Sequence, residues 1–380
     1  MDPDQALPLL GGLTPAQFMR RHWQKKPLLV RQALPGVEPP LARAALFALA
    51  AGDAVESRLV VRHGRGARAW TLRHGPLPRR TLPPLRQPGW TLLVQGLDLH
   101  LQAAHELLQR FAFVPAARLD DLMLSWASDG GGVGPHLDSY DVFLIQVQGR
   151  RRWRIGRCRD AELVAGVPLK ILRRFEPEQE WVVEPGDLLY LPPRWAHDGT
   201  AVGECMTASV GFRAPTPGEL VRELLGRMAE SVETADGERP YADPHQPASA
   251  TPAEVPPALQ AWAAAAVARA LRDPLALPRA LGEVLSEPKP HVWFDTGAAG
   301  AVRAGVELDR RTRMLYDMQH VFINGESYCA TGRDARLLRR LADRRRLDAR
   351  AVGTASAAVR AALAEWAEAG WLHAAGKATG

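Results

Sequence analysis

Gly130-Gly131-Gly132-Val133-Gly134-Pro135-His136-Leu137-Asp138-Ser139-Tyr140 is the stretch that decides the fold. Its distant counterpart is Leu191-Pro192-Pro193-Arg194-Trp195-Ala196-His197-Asp198-Gly199. His136 and Asp138 stand two residues apart. In a β-strand such a pair points to one face, so an imidazole and a carboxylate can grip one ion from a single strand. His197, arriving after a Pro-Pro-Arg-Trp turn, would complete two nitrogens and one oxygen on one side of a metal. That donor set suits Fe(II) and leaves coordination positions open for a co-substrate and O₂. A solitary His-x-Asp is more often a solvated polar pair. The Gly-rich approach and the distal histidine set this one apart.

Asp141-Val142-Phe143-Leu144-Ile145-Gln146-Val147 reads as a hydrophobic strand, with a hairpin turn near Gln148-Gly149. Arg151 then falls on the returning strand. Alternation sends Arg150 and Arg152 to solvent and turns the Arg between them inward. A buried guanidinium needs an anionic partner, and its planar fork suits a carboxylate. Beside a metal, that carboxylate could belong to 2-oxoglutarate.

Four stretches then carry a family likeness: Asp120-Asp121-Leu122-Met123, the Gly-rich run to Asp138, Arg151-Arg152-Trp153, and Ser209-Val210-Gly211-Phe212-Arg213-Ala214-Pro215. Together they resemble the JmjC ribosomal oxygenases, most nearly the bacterial branch that hydroxylates an arginine of large-subunit ribosomal protein L-sixteen. The likeness covers the first 215 residues well and the remainder more loosely. It implies a JmjC/cupin double-stranded β-helix, Fe(II) as cofactor, 2-oxoglutarate and O₂ as co-substrates, and hydroxylation at the arginine β-carbon. It also implies residue roles. His136, Asp138 and His197 would hold the metal, Arg151 and Ser125 the far carboxylate of 2-oxoglutarate, and Asp121, Tyr140 and Ser209 the target side chain. Taken alone, Ser125 could be a strand serine facing solvent and Asp121 a turn or capping residue. Tyr140, two beyond Asp138, falls on the metal-facing side by alternation. Trp195 should line the mouth of the site, and the remaining histidines read as ordinary.

A chain of 380 residues is long for one core, so two or three domains are expected. The net charge of +6 would suit nucleic acid, but it comes from Arg-rich, Lys-poor usage and carries little weight. Ribosomal proteins are themselves basic, so local acidic groups at the cleft would have to attract one. No stretch approaches the ~20 apolar residues of a membrane span. The start, Met1-Asp2-Pro3-Asp4, lacks the basic and apolar regions of a secretory signal. Cys158, Cys205 and Cys329 form no CxxC pair. These features predict a reduced, cytoplasmic protein.

The predicted class is α+β. Thr14-Pro15-Ala16-Gln17 starts a helix to about Trp23, a strand follows at 28–30, a helix at 42–51, strands at 57–62 and 90–95, and a helix at 99–110. Short strands then follow at 122–127, 152–155, 179–183, 188–191 and 205–212, the fourth of them delivering His197. This gives a catalytic domain over 1–215 with its core at 119–213. A helical region over 216–290 comes next, with helices at 219–233 and 258–271 flanking a Pro- and Ala-rich loop at 238–257. Its apolar stripes must be buried somewhere. The resemblance implies a homodimer formed through them, and packing on the β-core is the alternative. Residues 291–380 read as a winged-helix-like domain, with an Asn324-Gly325 hairpin, helices at 333–346 and 355–369, and a strand at 371–373. Its Arg344-Arg345-Arg346 run reads as a solvated face, so nucleic acid is not the expected partner. Two rival functions remain in view. One is a related oxygenase that hydroxylates or demethylates another protein residue. The other is a non-catalytic, metal-binding winged-helix regulator, against which the intact His136, Asp138 and His197 argue.

Overall fold

In the computed structural model, residues 2–64, 69–158, 160–233, 240–297, 302 and 305–375 are described. Thr14 closes a capping box on α1 (Pro15–Arg21): its hydroxyl accepts from Gln17 N, and the Gln17 side chain accepts from Thr14 N. Two orphan donors at the helix start are thereby satisfied, as the Thr-Pro-x-Gln spacing predicts. The chain divides into two units, Met1–Ala214 and Pro215–Gly380.

In the first unit, β1 (Leu28–Val30), α2 (Arg43–Leu49), β2 (Ser57–Arg62), β3 (Trp70–His74), β4 (Trp90–Val94), α3 (Leu97–His100) and α4 (Gln102–Gln109) come first. They are followed by β5 (Leu119–Ala127), β6 (Val142–Arg157), β7 (Gln179–Val183), β8 (Leu188–Leu191) and β9 (Trp195–Phe212). The strands form one antiparallel sheet in the order β1-β8-β6-β9-β5-β4-β2-β3, with β7 beside the C-terminal half of β6. Strand alternation splits the apolar side chains between two clusters. Phe143, Ile145 and Val147 join Phe18, Trp23, Tyr190 and Phe212 in the larger one. Val142, Leu144, Trp153 and Ile155 join Val183, Leu189, Leu191 and Trp195 in the other, the inner cluster.

Several expectations are corrected here. No hairpin turns at Gln148-Gly149, because β6 runs unbroken from Val142 to Arg157. Its ladder to β9 shifts register between Gln146 and Gln148 and again between Gln148 and Arg150. Gly149, at φ +64°, sits so close to β9 that a Cβ would lie 2.1 Å from Glu204 O. The glycine lets β6 pass close to β9 at the second of these shifts, and the chain does not reverse there. The His136–Asp138 segment is likewise not a strand. Pro135 has no N–H to donate, Gly130 and Gly134 have positive φ, and only an isolated bridge from His136 to His197 forms. His197 is delivered by β9, which starts at Trp195, not by β8. The helix expected at 99–110 breaks at Leu101, which is extended. β3 was not anticipated, since its charged, largely exposed edge residues give no clean alternation.

The second unit opens with α5 (Pro217–Glu233), α6 (Pro257–Ala270) and α7 (Ala276–Ser286). Residues 240–256 carry neither helix nor strand, and positions 238–239 of the expected loop lie outside the described residues. Then come β10 (Gly305–Leu308), β11 (Met314–Tyr316), β12 (His320–Ile323), β13 (Glu326–Cys329), α8 (Gly332–Arg344), β14 (Arg346–Asp348), α9 (Ala349–Gly353), α10 (Ala357–Glu368) and β15 (Leu372–Ala374). Two three-stranded sheets result, β14-β10-β15 and β11-β12-β13. Asn324 and Gly325, both at positive φ, turn β12 into β13 as the Asn-Gly signal predicts. The helix expected to Arg346 stops at Arg344, because Arg345 takes a left-handed conformation at its C-cap. Leu337, Leu338, Leu341, Leu363 and Trp366 fill the core between these pieces.

The close approach at Gly149 makes a direct prediction. Gly149→Ala must meet both a positive φ and a fixed backbone oxygen, so it should cost at least about 2 kcal/mol. Thermal unfolding followed by circular dichroism should show a melting point several degrees lower. An unchanged one would mean that the backbone around Gly149 can relax.

Candidate metal centre

The centre is built from two backbones that pair at one point. His136 N donates to His197 O and His197 N donates to His136 O, both at 3.0 Å. Residues opposed in this way project side chains to the same face, and the two imidazole centroids are 4.2 Å apart. Each ring is then oriented by the carbonyl two residues before it. His136 Nδ1 lies 2.8 Å from Gly134 O and His197 Nδ1 lies 3.1 Å from Trp195 O. A carbonyl can only accept, so both Nδ1 atoms carry the proton and both Nε2 atoms are left as acceptors for an ion.

Asp138 completes the set. Its Oδ1 is 4.0 Å from His136 Nε2 and its Oδ2 is 3.6 Å from His197 Nε2. One ligand atom from each of the three lies within 4.8 Å of the others. Burial holds the pKa of His197 down at about 4, with the neighbouring His136 adding to the effect against the opposing pull of Asp138. A neutral imidazole is the form that binds a metal. Just beyond, the fully buried Asp141 accepts from the Tyr190 hydroxyl at 2.6 Å and from Gln24 Nε2 at 3.1 Å. This anchor fixes where β6 begins, and the sequence reading missed it. An aspartate heading an otherwise hydrophobic strand was the available signal.

Arg151 lies on the same inner face. It is 6% exposed, and its Nε and Nη2 have no hydrogen-bond acceptor among the described residues. Its neighbours in sequence, Arg150 and Arg152, are exposed. Trp153 stands between Arg151 and the histidine: the guanidinium is 5.6 Å from the indole centroid, and the indole is 5.8 Å from the His197 ring. Register tells the same story, with His197 opposite Ile155 and Arg151 opposite Ala201. About 13 Å of strand separates the two positions at ~3.3 Å per residue. Gly199 makes room between them, since a Cβ there would lie 2.5 Å from the Trp153 ring. Trp153 is a second residue that the sequence reading passed over. Trp195, expected at the mouth, is instead 9% exposed and part of the inner cluster.

The other candidates fall as follows. Ser125 is buried on β5, and its hydroxyl donates to Thr207 O at 3.2 Å. Ser209 is buried on β9, two residues from Thr207 and so on the same face. Asp121 is buried, with Oδ2 accepting from Gly96 N at 3.0 Å. Tyr140 is 39% exposed. Partial burial, then the carboxylates of Asp138 and Asp121, push its pKa upward, so it stays a neutral phenol. Tyr140 and Asp121 thus feel one another electrostatically, in a neighbourhood rich in carboxylates.

The donor set fits a divalent transition metal, with three protein ligands and open positions. A buried guanidinium lacking a counter-charge is costly, so it fits an anion that enters from outside the chain. Both features match a ferrous ion with a dicarboxylate co-substrate.

Comparison with known proteins follows the same lines. A JmjC domain model matches residues 106–220, and a ROXA-like winged helix model matches residues 269–373. The Escherichia coli protein named "Ribosomal protein uL16 3-hydroxylase" is 39% identical over 244 residues, which is 63% of this chain and 62% of that protein. The chain spans less than two thirds of the length of the first curated relatives it matches. The X-ray structure of E. coli YcfD matches with 30% identity and a TM-score of 0.80, covering 95% of this chain and 98% of that one. A structure described as YcfD, a ribosomal oxygenase from E. coli, in complex with cobalt and 2-oxoglutarate matches with 31% identity, the same coverages and a TM-score of 0.74. The fold is therefore the expected α+β arrangement, a JmjC/cupin β-core with flanking helices and a winged-helix-like C-terminal part.

Two outcomes follow from this geometry. Asp138→Ala should weaken cobalt(II) binding, measured calorimetrically, by more than the ~10–100-fold typical of losing a supporting hydrogen bond. The folded pKa of His197 lies below its unfolded value, so metal-free protein should lose stability as pH falls from 6.5 towards 4. In that window only the unfolded chain takes up the proton. Thermal melts of His197→Asn over the same range should be flatter than those of the parent protein.

Proposed function

Because the chain belongs to the bacterial JmjC ribosomal oxygenases, we propose that it is an Fe(II)- and 2-oxoglutarate-dependent protein oxygenase. Its substrate is an arginine of large-subunit ribosomal protein L-sixteen (uL16), hydroxylated at the β-carbon. The observation that carries this reading is Arg151, a buried guanidinium with two unpaired nitrogens, set across Trp153 from the histidine pair.

Bound ferrous iron, with 2-oxoglutarate and O₂, supplies oxygen insertion into an unactivated C–H bond, leaving succinate and CO₂. The chain's own residues do the rest. His136, Asp138 and His197 present two Nε2 atoms and a carboxylate. Arg151 receives the far carboxylate of the co-substrate in a charge-assisted pair, and Ser125 adds a hydroxyl. Their burial excludes water, which strengthens that pair. Asp121, Tyr140 and Ser209 form the recess for the target side chain, with a carboxylate for the guanidinium and a phenol ring for its planar face. The overall charge of +6 would repel a basic ribosomal protein, so the carboxylates of Asp121 and Asp138 supply the local attraction. Gly131 and Gly132 let the chain run close to neighbouring backbone, where a Cβ would lie 2.4 Å from Trp90 O and Gly199 O respectively.

The domains are assigned as 1–215 catalytic, 216–290 for dimerisation and 291–380 winged-helix-like. Apolar side chains left exposed on three helices support a homodimer: Val221 and Leu225 on α5, Trp262 and Val267 on α6, and Leu277 and Leu281 on α7. Among the described residues no helix is long and apolar enough to cross a membrane. The assigned compartment is the cytoplasm, where ribosomes are made.

Arg151→Ala should leave cobalt(II) binding intact while abolishing 2-oxoglutarate turnover, and His136→Ala should abolish both. Ribosomal proteins from cells with and without the gene should differ by one oxygen atom on an L-sixteen arginine. An oxygen on a histidine elsewhere, or a lost methyl group on lysine, would move the assignment to the related oxygenases. Light scattering should give the mass of two chains for the parent protein and of one chain for Val221→Asp/Leu225→Asp.

A further inference from the structure

Strand β6 changes face part-way along. Val142 and Leu144 belong to the inner cluster, and so do Trp153 and Ile155. Even- and odd-numbered residues cannot share a face of one regular strand. Uninterrupted alternation from Val142 would place Arg150 and Arg152 inward and Arg151 outward. The ladder shows where the phase is changed: Gln146 faces Thr207 and Gln148 faces Met206, so two steps on β6 answer one on β9. A single extra residue inverts every side chain beyond it. The inward burial of Arg151 is therefore a product of this bulge.

One side chain holds the bulge. Gln146 is 1% exposed, and its Nε2 donates to Gln148 O at 2.8 Å and Gly149 O at 3.3 Å. Those carbonyls lie just beyond the extra residue, on Gln148, which pairs with Met206, and on Gly149, which has no partner in the ladder. Its Oε1 accepts from the Thr207 hydroxyl at 2.9 Å. The amide orientation follows from its partners, two acceptors on one side and a hydroxyl on the other. The backbone of Gln146 is fixed as well, exchanging hydrogen bonds with Gly186 and Asp187 at 3.0 Å. Thr207 in turn accepts the Ser125 hydroxyl through its own carbonyl. One buried polar chain thus runs from Ser125 through Thr207 and Gln146 to the bulge that precedes Arg151.

We infer that Gln146 is a positioning residue, clamping the β6 bulge so that Arg151 points at the co-substrate, with Thr207 as its partner. The inference rests on the reading of Arg151 as the carboxylate partner. It goes beyond that reading in assigning the face of Arg151 to a carboxamide whose own partners are the Gln148 and Gly149 carbonyls and the Thr207 hydroxyl.

The test is equilibrium binding of 2-oxoglutarate to cobalt-loaded protein by calorimetry, with cobalt affinity measured separately and folding checked by thermal melts. Gln146→Met keeps the volume and removes the side-chain donor from the Gln148 and Gly149 carbonyls. It should weaken 2-oxoglutarate roughly ten- to a hundredfold, raise KM for 2-oxoglutarate, and leave cobalt affinity and the KM for the target peptide unchanged. Thr207→Val, which keeps both bonds to the bulge, should produce a smaller loss. Thr207→Ser, which keeps the hydroxyl, should reverse most of it. If Gln146→Met does not fold, the two Thr207 variants decide alone. Arg151→Ala runs in parallel. If it leaves 2-oxoglutarate binding intact, the co-substrate reading fails. If it abolishes binding while Gln146→Met and Thr207→Val bind like the parent, only the clamp is wrong. Equal losses of cobalt and 2-oxoglutarate affinity would mark general damage and overturn the positioning role.

Discussion

Everything at the centre depends on the reciprocal backbone pair between His136 and His197. One segment is too rich in glycine and proline to form a strand, and the other opens the longest strand in the protein. The bridge sets both imidazoles on one face, and bonds between Ala201 and the Gly130–Gly131 backbone hold the two segments together further along. Each ring is then locked by the carbonyl two residues earlier, so the same local device is used twice. Both Nε2 atoms converge beside Asp138 as a consequence of hydrogen bonding that needs no ion. Hydrogen bonds within the chain thus orient both rings towards the place where an ion would be held.

The second constraint is electrostatic. A buried guanidinium without a carboxylate is normally destabilising by several kcal/mol, and folded proteins rarely retain one. Here it is partly compensated by the face of Trp153, and Trp153 can lie where it does only because position 199 is glycine. Histidine, indole and guanidinium therefore form a row along one face of two paired strands. The distance from His197 to the Arg151 guanidinium follows strand rise and register, which are stiff. The glycine-rich loop brings His136 and Asp138 up to the end of that row, fixed there by the bridge to His197.

The C-terminal unit shows the same dependence on single backbone positions. α7 approaches β12 through Gly282, where a Cβ would fall 2.2 Å from the Phe322 ring. The arginine run at 344–346 proves to be divided. Arg344 and Arg346 are exposed, whereas Arg345 turns back to donate to the carbonyls of Asp309 and Thr312. A charged run that looked uniformly solvated thus contains one residue that ties α8 to its own sheet.

Much of this was legible in the order of residues. Pattern and turn chemistry act locally, so the Thr14 capping box, the Asn324-Gly325 hairpin, most strands from Leu119 to Phe212 and the three converging ligands could be read directly. The sequence also implied an inward Arg151, but through a hairpin that does not exist. What turns that side chain inward is the extra β6 residue between Gln146 and Gln148, in a bulge held by Gln146 and by Thr207 from a strand far along the chain. Side-chain phase beyond a bulge depends on which strand lies alongside and in what register, and neither is a property of the strand itself. The chemical identity of the site was therefore set by the residues alone. The face that Arg151 occupies was decided only when β9 paired with β6.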